Sequence, residues 1–149
     1  MLLAGGEFVG DYGARVRARL RSLGANENEV RILGDVAGAE VTALLQRCGV
    51  FAFSSVCENC PTALVEALRA GAPIACSNVG VMPEIAGDAA EYFDPSSPSD
   101  IERALGVLMD RPDRRAELGR AAAKRGAQFP TPAQAAAETL AVIRSAAVA

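Results

Sequence analysis

The sequence predicts an α/β chain with a doubly wound parallel sheet and a helical tail. Three observations point there. Five short apolar runs, at residues 2–4, 30–33, 50–53, 73–76 and 91–93, are spread over the first ~95 residues, helical patterns fill the gaps between them, and helices alone follow. The runs are mostly apolar rather than alternating, as parallel strands covered on both faces are. Strands alternating with helices then favour βαβ units, a Rossmann-like arrangement of about five strands.

Each element has its own signals. The first run, LLA, stops at Gly5 and Gly6, and Val16, Leu20 and Leu23 then form an apolar stripe among arginines that ends at Gly24. After the run at 30–33, Val41, Leu44, Leu45 and Cys48 mark a second helix. A third begins near Pro61, whose missing N–H costs nothing in a first turn, and ends at Gly71. Ser99 and Glu102 give an S-x-x-E capping box for a fourth, which stops before Pro112. A fifth covers about 113–128, and the break FPTP leads into a last helix capped by Thr131 with Pro132 in its first turn. The segment DPSSPSD, 94–100, is the most loop-like stretch but is too short to divide the chain, which reads as a single domain, 1–149, with a helical tail over about 99–149.

Composition narrows the function. A chain of 149 residues buries roughly two thirds of the surface its unfolded form exposes, so neither a disulfide nor a metal is required to hold it. A net charge of −3, 5% aromatic residues and the lack of a basic run argue against a nucleic-acid partner. The opening MLLAGG is too short for a leader or a span, and no run approaches ~18 apolar residues. The expectation is a cytoplasmic chain without a membrane span, with peripheral membrane contact left open for a full-length protein. Of the four cysteines, Cys57 and Cys60 form one C-x-x-C, and there is no histidine. Zinc would need Cys48, Cys57, Cys60 and Cys76 to converge from three loops, and a redox pair at Cys57 and Cys60 is the lesser alternative, so the expected state is ordinary buried thiols in a reducing compartment.

The chemistry concentrates in SSVCENCPTALVEALRAGAPI, residues 54–74, where Glu58 and Glu66 have seven residues between them. One acid falls in the loop after a strand and the other inside the following helix, at the strand's carboxyl end, where open α/β sheets bind ligands. Pro61 and Thr62 start a helix whose free N–H groups and positive dipole end suit a phosphate oxygen. Glu66, one turn after Thr62, needs either a ligand's hydroxyls or a cation such as Arg69. Glu58 reads equally as a ligand contact or a solvated loop acid. Gly5 and Gly6 fit a close backbone approach to a ligand or a plain tight turn. Gly34 ends the second strand similarly, and LGDV would line the same rim. GGEFVG matches neither the dinucleotide fingerprint nor the P-loop.

GVFAFSS running into this E-x7-E, then EALRAGAPI and SNVGVMPEIAGDAAEYFDP, resembles the carboxyl-terminal, donor-binding domain of retaining glycosyltransferases of the GT-B fold, the group 1 or family 4 set. The match runs from LLAGG and VRILGDV to PDRRAELGRAAAKRGAQF, nearly the whole chain. The resemblance implies that Glu58 lies by the donor sugar, in the catalytic centre, and that Glu66 accepts from ribose hydroxyls. The backbone of Asn59, Cys60, Pro61, Thr62 and Ala63 would cradle sugar and diphosphate, while Gly5–Gly6 and Gly34, Asp35 and Val36 would border the nucleotide. The implied reaction moves a hexose-type sugar from a nucleotide diphosphate sugar to an acceptor hydroxyl with retention, in polysaccharide or glycolipid synthesis, and without a metal or other cofactor.

The chain also departs from that pattern. The family's first strand and helix, an upstream arginine and lysine, and the amino-terminal acceptor domain with its histidine precede the point where this sequence begins. In the sheet order 3-2-1-4-5-6 the absent strand is central, leaving the runs at 2–4 and 50–53 without the neighbour between them. Unpaired buried edges are costly and invite pairing. The chain is therefore expected to close the gap directly, to swap an element with a second copy as a homo-oligomer, or to be part of a larger protein; a six-stranded sheet in a monomer overturns this. The rivals are a sugar-nucleotide epimerase of the same architecture and a non-catalytic nucleotide-sugar binding module.

Overall fold

All five predicted strands form, each within one residue of its expected bounds. The computed structural model describes residues 1–4, 11–26 and 28–147, so Gly5 and Gly6 lie outside the described residues. In order the elements are β1 (Leu2–Ala4), α1 (Tyr12–Ser22), β2 (Arg31–Gly34), α2 (Gly38–Arg47), β3 (Phe51–Phe53), α3 (Thr62–Ala70), β4 (Ile74–Ser77) and α4 (Met82–Ala86). A 3₁₀ turn (Gly87–Ala89) then leads to β5 (Ala90–Phe93), α5 (Pro98–Asp110), α6 (Pro112–Gly126) and α7 (Pro132–Ala147). The chain forms two compact units, Met1–Val41 and Thr42–Ala149, with α2 running from the first into the second.

The first unit holds β1 and β2, parallel, with Leu2 opposite Arg31 and a register shift between Leu3 and Ala4. The shift brings Ala4 opposite Gly34, whose φ of +68° is open to glycine at little cost. Before β2 the Asn26 carboxamide oxygen accepts from the Asn28 amide at 2.9 Å, an Asx turn that delivers the chain into the strand. Val16 and Leu20 of α1 are half-buried as the stripe predicts, but Leu23 falls beyond the helix end and is exposed.

In the second unit β4 lies between β3 and β5, all parallel, with Phe53 opposite Cys76 and Ser77 opposite Phe93. Every residue of β4 is buried, and α5 and α6 both pack on it. Ala75 and Phe93 pack with Ala104 and Leu108 of α5 and Leu118 of α6 in one core cluster. Leu64, Ala67 and Leu68 give α3 its buried stripe at helical spacing. Against α3 lies α6, whose buried side is Leu118, Ala122 and Gly126, four residues apart. The chain leaves α3 at Gly71, in the left-handed region at φ +69°.

The tail divides where its punctuation says, with two refinements. The cap of α5 is Ser97 rather than Ser99: its hydroxyl accepts from the Asp100 amide at 3.3 Å, and Pro98 takes the first turn. Two Ser-x-x-acid frames compete here, Ser97 with Asp100 and Ser99 with Glu102, and the proline selects the one that leaves it at the helix start. At α7 the Thr131 hydroxyl accepts from the Gln134 amide while the Gln134 side chain accepts from the Thr131 amide, at 3.2 and 2.8 Å, a reciprocal capping box. The five-residue α4 was not predicted. β5 is tied to α5 by Arg103, which bonds Glu91 at 2.8 Å, Asp100 at 2.6 Å and the Tyr92 carbonyl at 2.7 Å.

The strands form a two-stranded and a three-stranded sheet rather than one six-stranded sheet. Among the described residues β3 hydrogen-bonds as a strand to β4 alone, which makes it an edge. No described helix is long and apolar enough to cross a membrane.

Candidate functional site

Three strand ends meet in the second unit. Beyond the last β3–β4 pair, the buried Ser77 hydroxyl donates to the Ser55 carbonyl at 2.6 Å. On the other side the Asn78 amide donates to the Phe93 carbonyl at 2.9 Å. The carboxyl ends of β3, β4 and β5 are thus stitched into one rim, and the loop at residues 54–61 leaves it carrying Glu58, Asn59 and Cys60.

That loop enters α3 without a side-chain cap. Pro61 is the cap residue, one position earlier than the first-turn place expected for it, and its carbonyl accepts from the amides of Leu64 and Val65 at 3.0 and 3.1 Å. Thr62 donates back to the Cys60 carbonyl at 2.8 Å. The amides of Asn59, Cys60 and Ala63 have no partner among the described residues. Unsatisfied N–H groups at a helix start carry partial positive charge and hold anions.

The two glutamates sit on this strand–loop–helix unit in different settings. Glu58 is half-buried in the loop, whereas Glu66 is exposed, one turn beyond the exposed Thr62. Neither forms an ion pair or side-chain hydrogen bond among the described residues. The Glu66–Arg69 pair that periodicity offers is not made. Arg69 instead donates to the carbonyls of Phe129, at 3.3 Å, and Pro130, which ties α3 to the link between α6 and α7. Exposure also removes the desolvation cost expected of an unpaired Glu66.

Of the other predicted residues, Gly34 is the last residue of β2 and Asp35 and Val36 follow it, at the carboxyl end of that strand in the first unit. Gly5 and Gly6 fall outside the described residues. The expectation of four buried thiols needs correction: Cys76 is buried, Cys48 half-buried, and Cys57 and Cys60 are exposed because they flank Glu58 in the loop. Burial pushes the Cys76 thiol up to about 12, and it also raises Cys48, whose S–H donates to the Leu45 carbonyl at 3.2 Å. Among the described residues no three Cys, Asp or Glu side chains gather where a metal could be held. Sequence reasoning missed Ser77, since its partner is a main-chain carbonyl 22 residues away. An open groove of about 640 Å³ lies at the other end of the sheet, beside Pro73, and contains none of the predicted residues.

A parallel α/β sheet with this helical tail is the architecture of GT-B glycosyltransferases. Residues 2–125 match the family described as glycosyl transferases group 1, and the chain belongs to that family. It is 32% identical over 110 residues to an MMP alpha-(1->4)-mannosyltransferase from Mycolicibacterium hassiacum, a match covering 72% of this chain and 27% of that protein. Sucrose-phosphate synthase from Thermosynechococcus elongatus superposes with a TM-score of 0.85 at 19% identity, over 99% of this chain and 39% of that one. Anabaena HepE, solved with UDP and glucose, gives 0.80 at 21% identity, over 95% of this chain and 40% of that one.

Proposed function

We propose that the chain is the donor half of a retaining glycosyltransferase. It binds a nucleotide diphosphate sugar and, joined to an acceptor domain, transfers a hexose-type sugar to a hydroxyl in polysaccharide or glycolipid synthesis. The observation that carries this reading is the start of α3, where three unclaimed amides and two unpaired carboxylates share one loop and helix. Amides and a helix dipole suit the diphosphate, and carboxylates suit the hydroxyls of sugar and ribose.

The roles follow from the chemistry. Glu66 accepts from the ribose hydroxyls, and Glu58, nearer the strand end, accepts from the donor sugar. The backbone of Asn59 through Ala63 meets the diphosphate, with the turns at Gly5–Gly6 and Gly34–Val36 bordering the nucleotide. As the bond from sugar to diphosphate breaks, negative charge grows on the departing oxygen, and donors already aimed there stabilise it without reorganising. The main-chain amides supply this without a metal. Family membership and the 27–40% share of its relatives' length that the chain spans support a donor domain within a longer enzyme. The free edge of β3 then receives a strand from the rest of that protein or from a second copy.

The same short share also favours a binding module without catalysis. Calorimetry with uridine, guanosine and adenosine diphosphate sugars is expected to find one base preferred, and hydrolysis or transfer assays on the longer protein then separate enzyme from module. Heat exchange with none of the three donors rejects the proposal.

A further inference from the structure

The β3–β4 ladder stops one step short of the site loop, and a side chain takes over from it. Its last backbone pair is Phe53 with Cys76. The Asn78 amide faces the other neighbour, donating to the Phe93 carbonyl of β5, and among the described residues no backbone amide beyond Ser77 donates to Ser55. The Ser55 carbonyl would then lack a donor from β4, and the Ser77 hydroxyl supplies one at 2.6 Å from a fully buried position. Ser55 passes the constraint on through its own hydroxyl, which makes a long contact, 3.5 Å, to the Cys57 carbonyl. That carbonyl belongs to the peptide whose nitrogen is Glu58.

We propose that Ser77 is a positioning residue for the donor loop: its hydroxyl fixes Ser55, and through Ser55 the peptide leading into Glu58 and the open amides before α3. This rests on the donor-binding reading given above. Ser77 touches no substrate; it limits the conformations from which the loop must be ordered when a donor binds. A preorganised loop loses less freedom on binding, so removing the brace weakens affinity. Among the described residues Ser77 is the buried polar side chain, and its bond points at the loop rather than along its own strand.

Hydrogen exchange and calorimetry on the chain test this together. In Ser77→Ala the hydrogen-bonded amides at the loop's exit, those of Thr62, Leu64 and Val65, are expected to exchange about tenfold faster while those of β5 and α6 stay within about twofold. Affinity for the preferred nucleotide diphosphate sugar is expected to fall about tenfold. Ser77→Cys, similar in shape but a feeble donor, should show the same two effects and takes over if the alanine variant does not fold. A uniform rise in exchange across the second unit marks a merely structural serine and overturns the proposal. So does an unchanged loop, or a loosened loop with unchanged affinity. Should the unaltered chain bind no donor, the functional reading fails, while the exchange pattern still decides whether the hydroxyl holds the loop.

Discussion

Gly126 lies against the backbone of Arg69 so closely that a methyl group on its α-carbon would stand 2.5 Å from the Arg69 nitrogen and 2.6 Å from the Leu68 carbonyl carbon. Here α6 meets α3, the helix that carries Glu66. The neighbours are main-chain atoms, so the contact cannot relax by a side-chain rotation. Gly126→Ala is expected to destabilise the second unit by about 1–3 kcal/mol, the usual range for overpacking. A urea midpoint equal to that of the unaltered chain would show that the helices have room to separate.

Glu66 and Arg69 should separate cleanly in their effects. Glu66 is exposed and unpaired, so Glu66→Ala leaves stability within about 0.5 kcal/mol. Losing a charged acceptor for ribose hydroxyls lowers donor affinity by about ten- to a hundredfold. Arg69→Ala does the reverse, lowering the melting temperature by releasing the 129–130 carbonyls. In a full-length enzyme Glu58→Ala damages turnover more than binding. Titration calorimetry and melting curves on the first two variants check the contrast, and a Glu66→Ala chain that binds donor normally contradicts the ribose role.

Thiol chemistry offers a test of the loop. Cys57 and Cys60 are exposed, Cys48 is half-buried, and Cys76 is buried with its thiol pushed up to about 12. An aromatic disulfide reagent near pH 8 should label two thiols quickly, a third slowly, and the fourth only in denaturant. Donor bound beside Glu58 should slow the fast pair. Four equally fast thiols would mean that the β4 core is open.

Acid should loosen the β5–α5 junction. Asp100 is held below the usual carboxylate range chiefly by the Arg103 guanidinium, and Asp94 chiefly by the Ser96 hydroxyl at 2.6 Å. Because both values are lowered in the folded chain, the unfolded chain takes up protons first as pH falls. The stability they contribute is therefore present above about pH 4–5 and is lost progressively below that. Replacing Asp100 with Asn should flatten the acid limb of a plot of stability against pH. An acid limb identical in the variant would place the sensitivity elsewhere.

How much of this was legible in the sequence depended on whether the determining partner was local. Apolar runs bounded by glycine and polar residues reveal strands because burial on both faces demands them, and the third helix announces itself by Leu64, Ala67, Leu68 and Gly71. MPEIA is too short for a helical period to register, so α4 escaped notice. Arg69 could not be assigned from periodicity, since a partner three residues away and a carbonyl 60 residues away look alike from within one helix. The two glutamates stood out by spacing alone. That one is half-buried in a loop and the other on open helix surface follows from packing that spacing does not encode.

The bond from Arg69 to the 129–130 link also bears on the order of assembly. The ladder partners Phe51 and Ile74, or Ile74 and Ala90, close short stretches of chain, whereas Arg69 and Phe129 close one of 60 residues. Short closures cost less entropy and come first. The expected sequence is a β3–α3–β4–β5 nucleus onto which α6 docks late. On a ribosome, α3 would then gain its final seat only after the chain beyond residue 130 has emerged.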